Sequence, residues 1–289
     1  MSVAVTDVPR AVAAATSAAS ALGLTVDRAL VLNASNRLAL RLLPSDVLAR
    51  VALVAHGAAQ LEVDLASRLA GTDCPVATLD PRVPPRVYER DGFAITLWTH
   101  YAPQPSLELS PAGYADALLR LHQGLKHLDL PTPHFMDRVR EAEQVVRNLE
   151  RTAALSEADR NLLTRTLTTA AGAIGERGAA EQLLHGEPHP GNVLNTKEGP
   201  LFIDFETCCR GPVEFDLAHV PEDVSALYPD VDQALLRHCR ILVLAMVAAW
   251  RLEPGDQLPM GSRAAQQLLA ALRAGPPYPT LDTIAGEPP

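Results

Sequence analysis

Residues Leu184–Glu206 read LHGEPHPGNVLNTKEGPLFIDFE, and this stretch decides how the rest of the chain is read. It sets His185-Gly186-Glu187, then Asn192, then an apolar run that ends at Asp204. So polar and Pro/Gly-rich a segment is no core element, yet Leu183-Leu184 precede it and Val193-Leu194 and Leu201-Phe202-Ile203 follow. The pattern predicts a loop between short strands, with Lys197-Glu198-Gly199-Pro200 as the turn of a hairpin. Two carboxylates and one carboxamide are thereby offered as oxygen donors. That is a hard donor set, suited to Mg²⁺ with substrate phosphates rather than to zinc.

The spacing H-G-E-x-x-x-x-N followed by I-D-F resembles the catalytic loop and metal-binding aspartate of the kinase fold. It is most similar to the aminoglycoside phosphotransferase family of small-molecule kinases, whose loop usually reads H-G-D-x-x-x-x-N. The likeness continues through Gly211-Pro212 and Asp216-Leu217-Ala218, which resemble that family's G-[DP]-x-x-x-D-L-A. The resemblance implies that Glu187 stands in the place of the catalytic base and that Asn192 and Asp204 are metal ligands. It implies ATP or GTP with Mg²⁺ as cofactors, and a hydroxyl of a small molecule, such as an aminoglycoside antibiotic, as acceptor. The chain departs from the pattern at Glu187, where the family has aspartate. His189 is read as structural.

Ahead of this stretch the sequence predicts a helix over residues 10–22, ended by Gly23, then strands over Val26–Leu32, Arg37–Leu43 and Val47–Val54. No G-x-G-x-x-G lies between the first two strands. By the kinase comparison, Asn33–Arg37 would be the loop over the nucleotide phosphates, with Ser35 and Asn36 as binding residues. The same comparison asks the third strand for a cation on the phosphates. The chain's lysines, Lys126 and Lys197, lie elsewhere, so Arg50 takes the place, with Arg41 as its rival. Arg can grip phosphate through two N–H groups and is always charged. A helix from Ala58 to Gly71 carries Glu62, placed to reach back to Arg50 as the corresponding glutamate of kinases does, or else to face solvent. Phe93–Trp98 is a strand that runs into Thr99, His100 and Tyr101, which the resemblance makes the hinge binding adenine.

From Ser110-Pro111 onward the pattern turns helical: residues 111–125, 133–149, 156–174, 231–252 and 262–274, followed by a loose tail. His122 is expected to pack or hydrogen-bond rather than catalyse, and Arg138 and its charged neighbours to face water or else to border the acceptor pocket. The expected fold is α+β and two-lobed. Residues 1–101 form a small antiparallel-sheet lobe, 102–110 a linker, and 111–289 a larger helical lobe.

Composition narrows the partners. A formal net charge of −9 over 289 residues argues against nucleic acid and leans toward a cationic acceptor. No apolar run looks long enough to span a bilayer, and the N-terminus lacks a charged region ahead of apolar residues, so the expected location is cytoplasmic. The four cysteines show no C-x-x-C spacing and read as small buried thiols. Two other readings compete: a metabolic or natural-product kinase with the same machinery, and a nucleotide-binding protein that transfers nothing, since Glu replaces Asp and Arg replaces Lys.

Overall fold

The computed structural model describes residues 7–34, 37–104, 109–253 and 261–285. Ser35 and Asn36 lie outside the described residues, as do residues 105–108 of the linker. The fold is α+β, with a small antiparallel sheet toward the N-terminus and a mainly helical C-terminal region. It divides into two compact units, residues 1–108 with 194–206, and residues 109–193 with 207–289.

In the first unit, helix α1 (Val8–Ala21) precedes strands β1 (Val26–Ala34), β2 (Leu38–Pro44) and β3 (Val47–Leu53). Helix α2 (Ala58–Leu69) follows, then β4 (Tyr88–Arg90) and β5 (Phe93–Thr99). The sheet runs β1-β2-β3-β5-β4 with every pair antiparallel. Strand alternation divides its two faces. Leu38, Leu40, Leu42, Val47, Ala49, Val51, Ile95 and Leu97 form a core with the alanines of α1. Those alanines (Ala11, Ala14, Ala15, Ala18, Ala19) are all buried, because small side chains let the helix lie close on the sheet. The opposite parity carries Arg50, paired in register with Ala39 and Thr96.

Strands β7 (Val193–Thr196) and β8 (Gly199–Phe202) form the expected hairpin, though Gly199 and Pro200 belong to β8 rather than to the turn. The first unit claims nearly all of this hairpin through backbone hydrogen bonds. Phe202 N–H donates to Pro75 O at 2.8 Å, Ala77 N–H to Phe202 O at 3.2 Å, and Gln104 N–H to Asn195 O at 2.9 Å. The sequence reading had placed everything after residue 111 with the helices. Periodicity could not reveal these pairings, since Pro75–Leu79 makes only single bridges.

The second unit holds α3 (Pro111–Lys126), α4 (Phe135–Arg147), α5 (Glu157–Arg177), β6 (Gln182–Leu184), β9 (Cys209–Gly211), α6 (Val213–Leu217), α7 (Glu222–Leu227), α8 (Gln233–Trp250), α9 (Gly261–Ala274) and α10 (Leu281–Ala285). Ser110 caps α3 by accepting from Gly113 N–H, and Ser156 caps α5 by accepting from Asp159 N–H. By length and composition α8 could cross a membrane, against the sequence expectation. It packs instead among α4, α5, α6 and α9, with Leu242, Val243, Leu244, Ala245 and Met246 buried, as a core helix does. The tail is not wholly loose either: α10 packs on α9 behind the buried Thr280.

Candidate active site

In the first unit, two arginines converge on one glutamate. Glu62, 1% exposed on α2, accepts from Arg50 Nη1 at 2.8 Å and also from Arg37 Nη1. Arg50 Nη2 donates to Asp204 Oδ1 at 2.7 Å, and its guanidinium lies 6.0 Å over the Trp98 ring. Burial disfavours the charge on Arg50, but Glu62 and Asp204 outweigh it and raise its pKa. The rival Arg41 hydrogen-bonds Asp46 at 2.6 Å on the surface and takes no part in this cluster.

Arg37, which the sequence did not single out, is nearly buried immediately ahead of β2. Its Nη2 stands 2.7 Å from Glu206 Oε2, at an angle that makes an ionic contact but no hydrogen bond. Asp204 has φ of 68°, a left-handed conformation that costs most side chains energy and that Asp tolerates better than most. The next residue, Phe205, donates its N–H to Glu62 Oε1 at 3.1 Å, so α2 also fixes the backbone that carries Asp204.

The hinge residues follow β5. Thr99 N–H is committed to Thr78 O at 2.9 Å, Tyr101 OH meets Thr78 Oγ1 at 2.9 Å, and His100 Nδ1 lies 3.2 Å from Asp46 Oδ1. Burial holds the His100 pKa below its ordinary value.

In the second unit, the loop after β6 hangs from Asp216. This fully buried carboxylate accepts His185 N–H at 2.9 Å and Gly186 N–H at 2.8 Å. It also lies 3.0 Å from His122 Nε2, and His122 Nδ1 lies 2.8 Å from Tyr228 OH, so His122 is a hydrogen-bonding residue as expected. Burial alone would raise the Asp216 pKa; the hydrogen bond and charge of His122, with the loop amide, hold it below the usual range. Gly186, at φ of 92°, admits no side chain, because a Cβ would fall 2.0 Å from Thr207 O. His189 caps the following turn by accepting from Gly191 N–H at 3.1 Å, and Asn192 Nδ2 donates to Glu187 O at 3.0 Å.

Arg138 corrects an expectation. Instead of facing water, its guanidinium is largely covered, 4.9 Å over the Trp250 ring. One nitrogen donates to Gly186 O at 3.2 Å and the other to Glu187 Oε1. Its placement on α4 was legible: Ala142 and Val145, four and seven positions on, are both buried, so Arg138 borders the apolar stripe. Arg140 and Arg147 do lie at the surface, paired with Asp137 and Glu143. Burial pushes the Glu187 pKa up, but the charge and hydrogen bond of Arg138 prevail and hold it down to about 2. His219, 3% exposed, leaves Nε2 without a hydrogen-bond partner among the described residues, and burial pushes its pKa down to about 4.

The donor chemistry of the first unit suits a hard divalent cation. Three carboxylates (Glu62, Asp204, Glu206) meet two guanidiniums (Arg37, Arg50), which leaves one negative charge in excess. Both arginine contacts of Asp204 fall on Oδ1, and its side chain is a third exposed. No group of three or more His, Cys, Asp or Glu side chains arranged to hold a metal occurs among the described residues, so any cation would need other oxygens to complete its shell.

Comparison with known proteins places the fold. The profile of a phosphotransferase enzyme family matches residues 26–241. No curated protein matches the sequence. Among solved structures, the GDP complex of aminoglycoside 2'-phosphotransferase-IIIa superposes with a TM-score of 0.69 at 15% identity, covering 92% of this chain and 98% of that one. Amicoumacin kinase hAmiN, in complex with AMP-PNP and Ca²⁺, gives 0.68 at 10% identity, covering 88% and 91%. Choline kinase LicA from Streptococcus pneumoniae gives 0.64 at 14% identity, covering 90% and 98%. With its loop hung from Asp216 and its family profile spanning most of the length, this chain belongs to the phosphotransferase enzyme family.

Proposed function

We propose that this phosphotransferase moves the γ-phosphoryl group of Mg-ATP to a hydroxyl of a small molecule. The observation that carries the reading is Arg50, held by Glu62 on one side and by Asp204 on the other. A β3 cation steadied by an α2 carboxylate, beside the aspartate that ends the hairpin, is the arrangement phosphoryl transfer requires of the nucleotide side. Arg50 binds the nucleotide phosphates, Glu62 fixes its rotamer, and Arg37 braces Glu62. Asp204 and Asn192, the metal positions that the family resemblance implies, are the residues that would hold Mg²⁺, which when bound neutralises charge on the phosphates. With the Thr99 amide committed to Thr78, adenine is left to the backbone of His100 and Tyr101.

Glu187 accepts a hydrogen bond from the acceptor hydroxyl and orients it. The acceptor O–P bond forms as the bond to the β–γ bridging oxygen breaks, ADP leaves with that oxygen, and the hydroxyl proton passes late in the transfer to the Glu187 carboxylate. A carboxylate with a pKa of about 2 is a weak base, so orientation outweighs proton abstraction, which a loose transition state tolerates. The structural relatives include enzymes named for aminoglycosides, amicoumacin, choline and spectinomycin, and the net charge of −9 favours cationic acceptors. An antibiotic acceptor and a metabolic one both suit these features.

ADP release and phosphorylated product, measured with kanamycin, spectinomycin, amicoumacin and choline, test the proposal. A second reading, binding of Mg-ATP without transfer, is favoured by the Arg138 contact that occupies Glu187. Tight Mg-ATP binding with no product from any acceptor would select it.

A further inference from the structure

We infer that Arg138 is a positioning residue that allows glutamate to serve where the family pattern has aspartate. The inference rests on the role proposed for Glu187. A single guanidinium bonds two successive residues of the loop, the backbone oxygen of Gly186 at 3.2 Å and the side-chain oxygen of Glu187. The first contact fixes Arg138 relative to the loop backbone. The second then requires a side chain of set length, and an aspartate, shorter by one methylene, falls ~1.5 Å short of it. Glutamate's extra torsion would otherwise let its carboxylate wander among rotamers. The Arg138 fork removes that freedom.

Arg138 is itself immobilised. Its guanidinium lies over Trp250 of α8, its side chain is 12% exposed, and its helix α4 is capped at the start by Asp137, which accepts the His134 N–H, and by His134 Nδ1, which accepts the Met136 N–H. The loop is fixed from the other side by Asp216 on the His185 and Gly186 amides, and by Tyr114 OH donating to Pro188 O. Glu187 therefore sits between two rigid supports, one on its backbone and one on its carboxylate.

The test compares Arg138→Met, which keeps the bulk, and Arg138→Lys, which keeps the charge, with the unmutated enzyme. Crystal structures of the three should show the Glu187 carboxylate displaced by more than about 1 Å in the Met variant and restored in the Lys variant. ADP release from Mg-ATP, with water and with kanamycin, spectinomycin or choline as acceptor, should fall roughly tenfold to a hundredfold in kcat for Arg138→Met. KM for ATP should stay within about twofold, and Arg138→Lys should recover most of the rate. In a Glu187→Gln background, Arg138→Met should add less than about twofold, because its effect passes through the carboxylate.

An unmoved Glu187 in the Met variant overturns the inference, and so does an equal loss of rate in the Glu187→Gln background. Should Arg138→Met fail to fold, as its melting curve would show, Arg138→Gln takes its place under the same two readouts: a displaced carboxylate with the rate lost only where Glu187 is present supports the inference, and an unmoved one overturns it. Calorimetry with Mg-AMP-PNP keeps the underlying reading separate. Absence of nucleotide binding would sink the kinase function, while the crystal structures would still decide whether Arg138 positions Glu187.

Discussion

Asp204 of the first unit and Asp216 of the second are two aspartates held by opposite means. Asp204 is a third exposed and bonds a guanidinium, a partner that phosphate groups can compete for. Asp216 is fully buried and bonds two backbone amides and a histidine, partners that no substrate can replace. The difference separates what can be rearranged on binding from what must exist beforehand. Charge contacts of the first kind are adjustable, since an arginine that leaves a carboxylate for a phosphate stays paired. Amide contacts of the second kind define the loop's shape, and breaking them leaves buried donors unsatisfied.

Mutation of the two aspartates should therefore give opposite signatures. Asp204→Asn keeps the shape and the tolerance for positive φ but removes the charge. Mg²⁺-dependent turnover should drop by at least about a thousandfold, ~4 kcal/mol of transition-state stabilisation, with little change in melting temperature. A folded Asp204→Asn enzyme turning over at the parent rate would break the comparison at its first member.

Asp216→Asn should act mainly on stability. An amide in its place cannot accept both loop N–H groups and still meet His122, so the loss should be about 3 kcal/mol in chemical denaturation, with activity falling as the loop loosens. Unchanged stability would show that the amide contacts do not carry the loop.

A smaller effect distinguishes the arginines. Arg50→Ala should weaken Mg-ATP binding by roughly tenfold to a hundredfold, the cost of one charge-assisted phosphate contact at about 1.5–3 kcal/mol. Arg37→Ala, acting through Glu62, should cost less, and Arg41→Ala, whose partner is the surface Asp46, least of all. Isothermal titration with Mg-AMP-PNP ranks the three, and a larger loss for Arg41→Ala would remove Arg50 from the nucleotide side.

The most gradual effect is on pH dependence. His219 has its folded pKa lowered from 6.5 to about 4, so between those values the unfolded chain binds the extra proton and stability falls as pH falls. Glu187, lowered from 4.5 to about 2, adds stability that is full above pH 4.5 and is lost on further acidification. Replacing His219 with Gln should flatten the stability profile between pH 6.5 and 4 by at most one proton, ~1.4 kcal/mol per pH unit. A variant as acid-sensitive as the parent across that window would show that His219 is not the group responsible.

What the sequence determined by itself was the local order of the chain. The alternation of Leu38, Leu40 and Leu42, the caps at Ser110 and Ser156, and the spacing from His185 to Asp204 each depend on neighbours a few residues away. Those signals were enough for the α+β class, the family and the loop with its hairpin. Tertiary structure decided how side chains far apart in sequence are paired. Arg50 and Asp204 are 154 positions apart, Arg138 and Glu187 are 49, and His122 and Asp216 are 94. An arginine in a strand or on a helix face has the same local sequence whether it faces water or a buried carboxylate. Only the register of β3 against β2 and β5, and the packing of α4 beside Trp250, settle which partner it meets. The attachment of the hairpin to Pro75–Ala77 was hidden for the same reason, because backbone hydrogen bonds carry no side-chain signature.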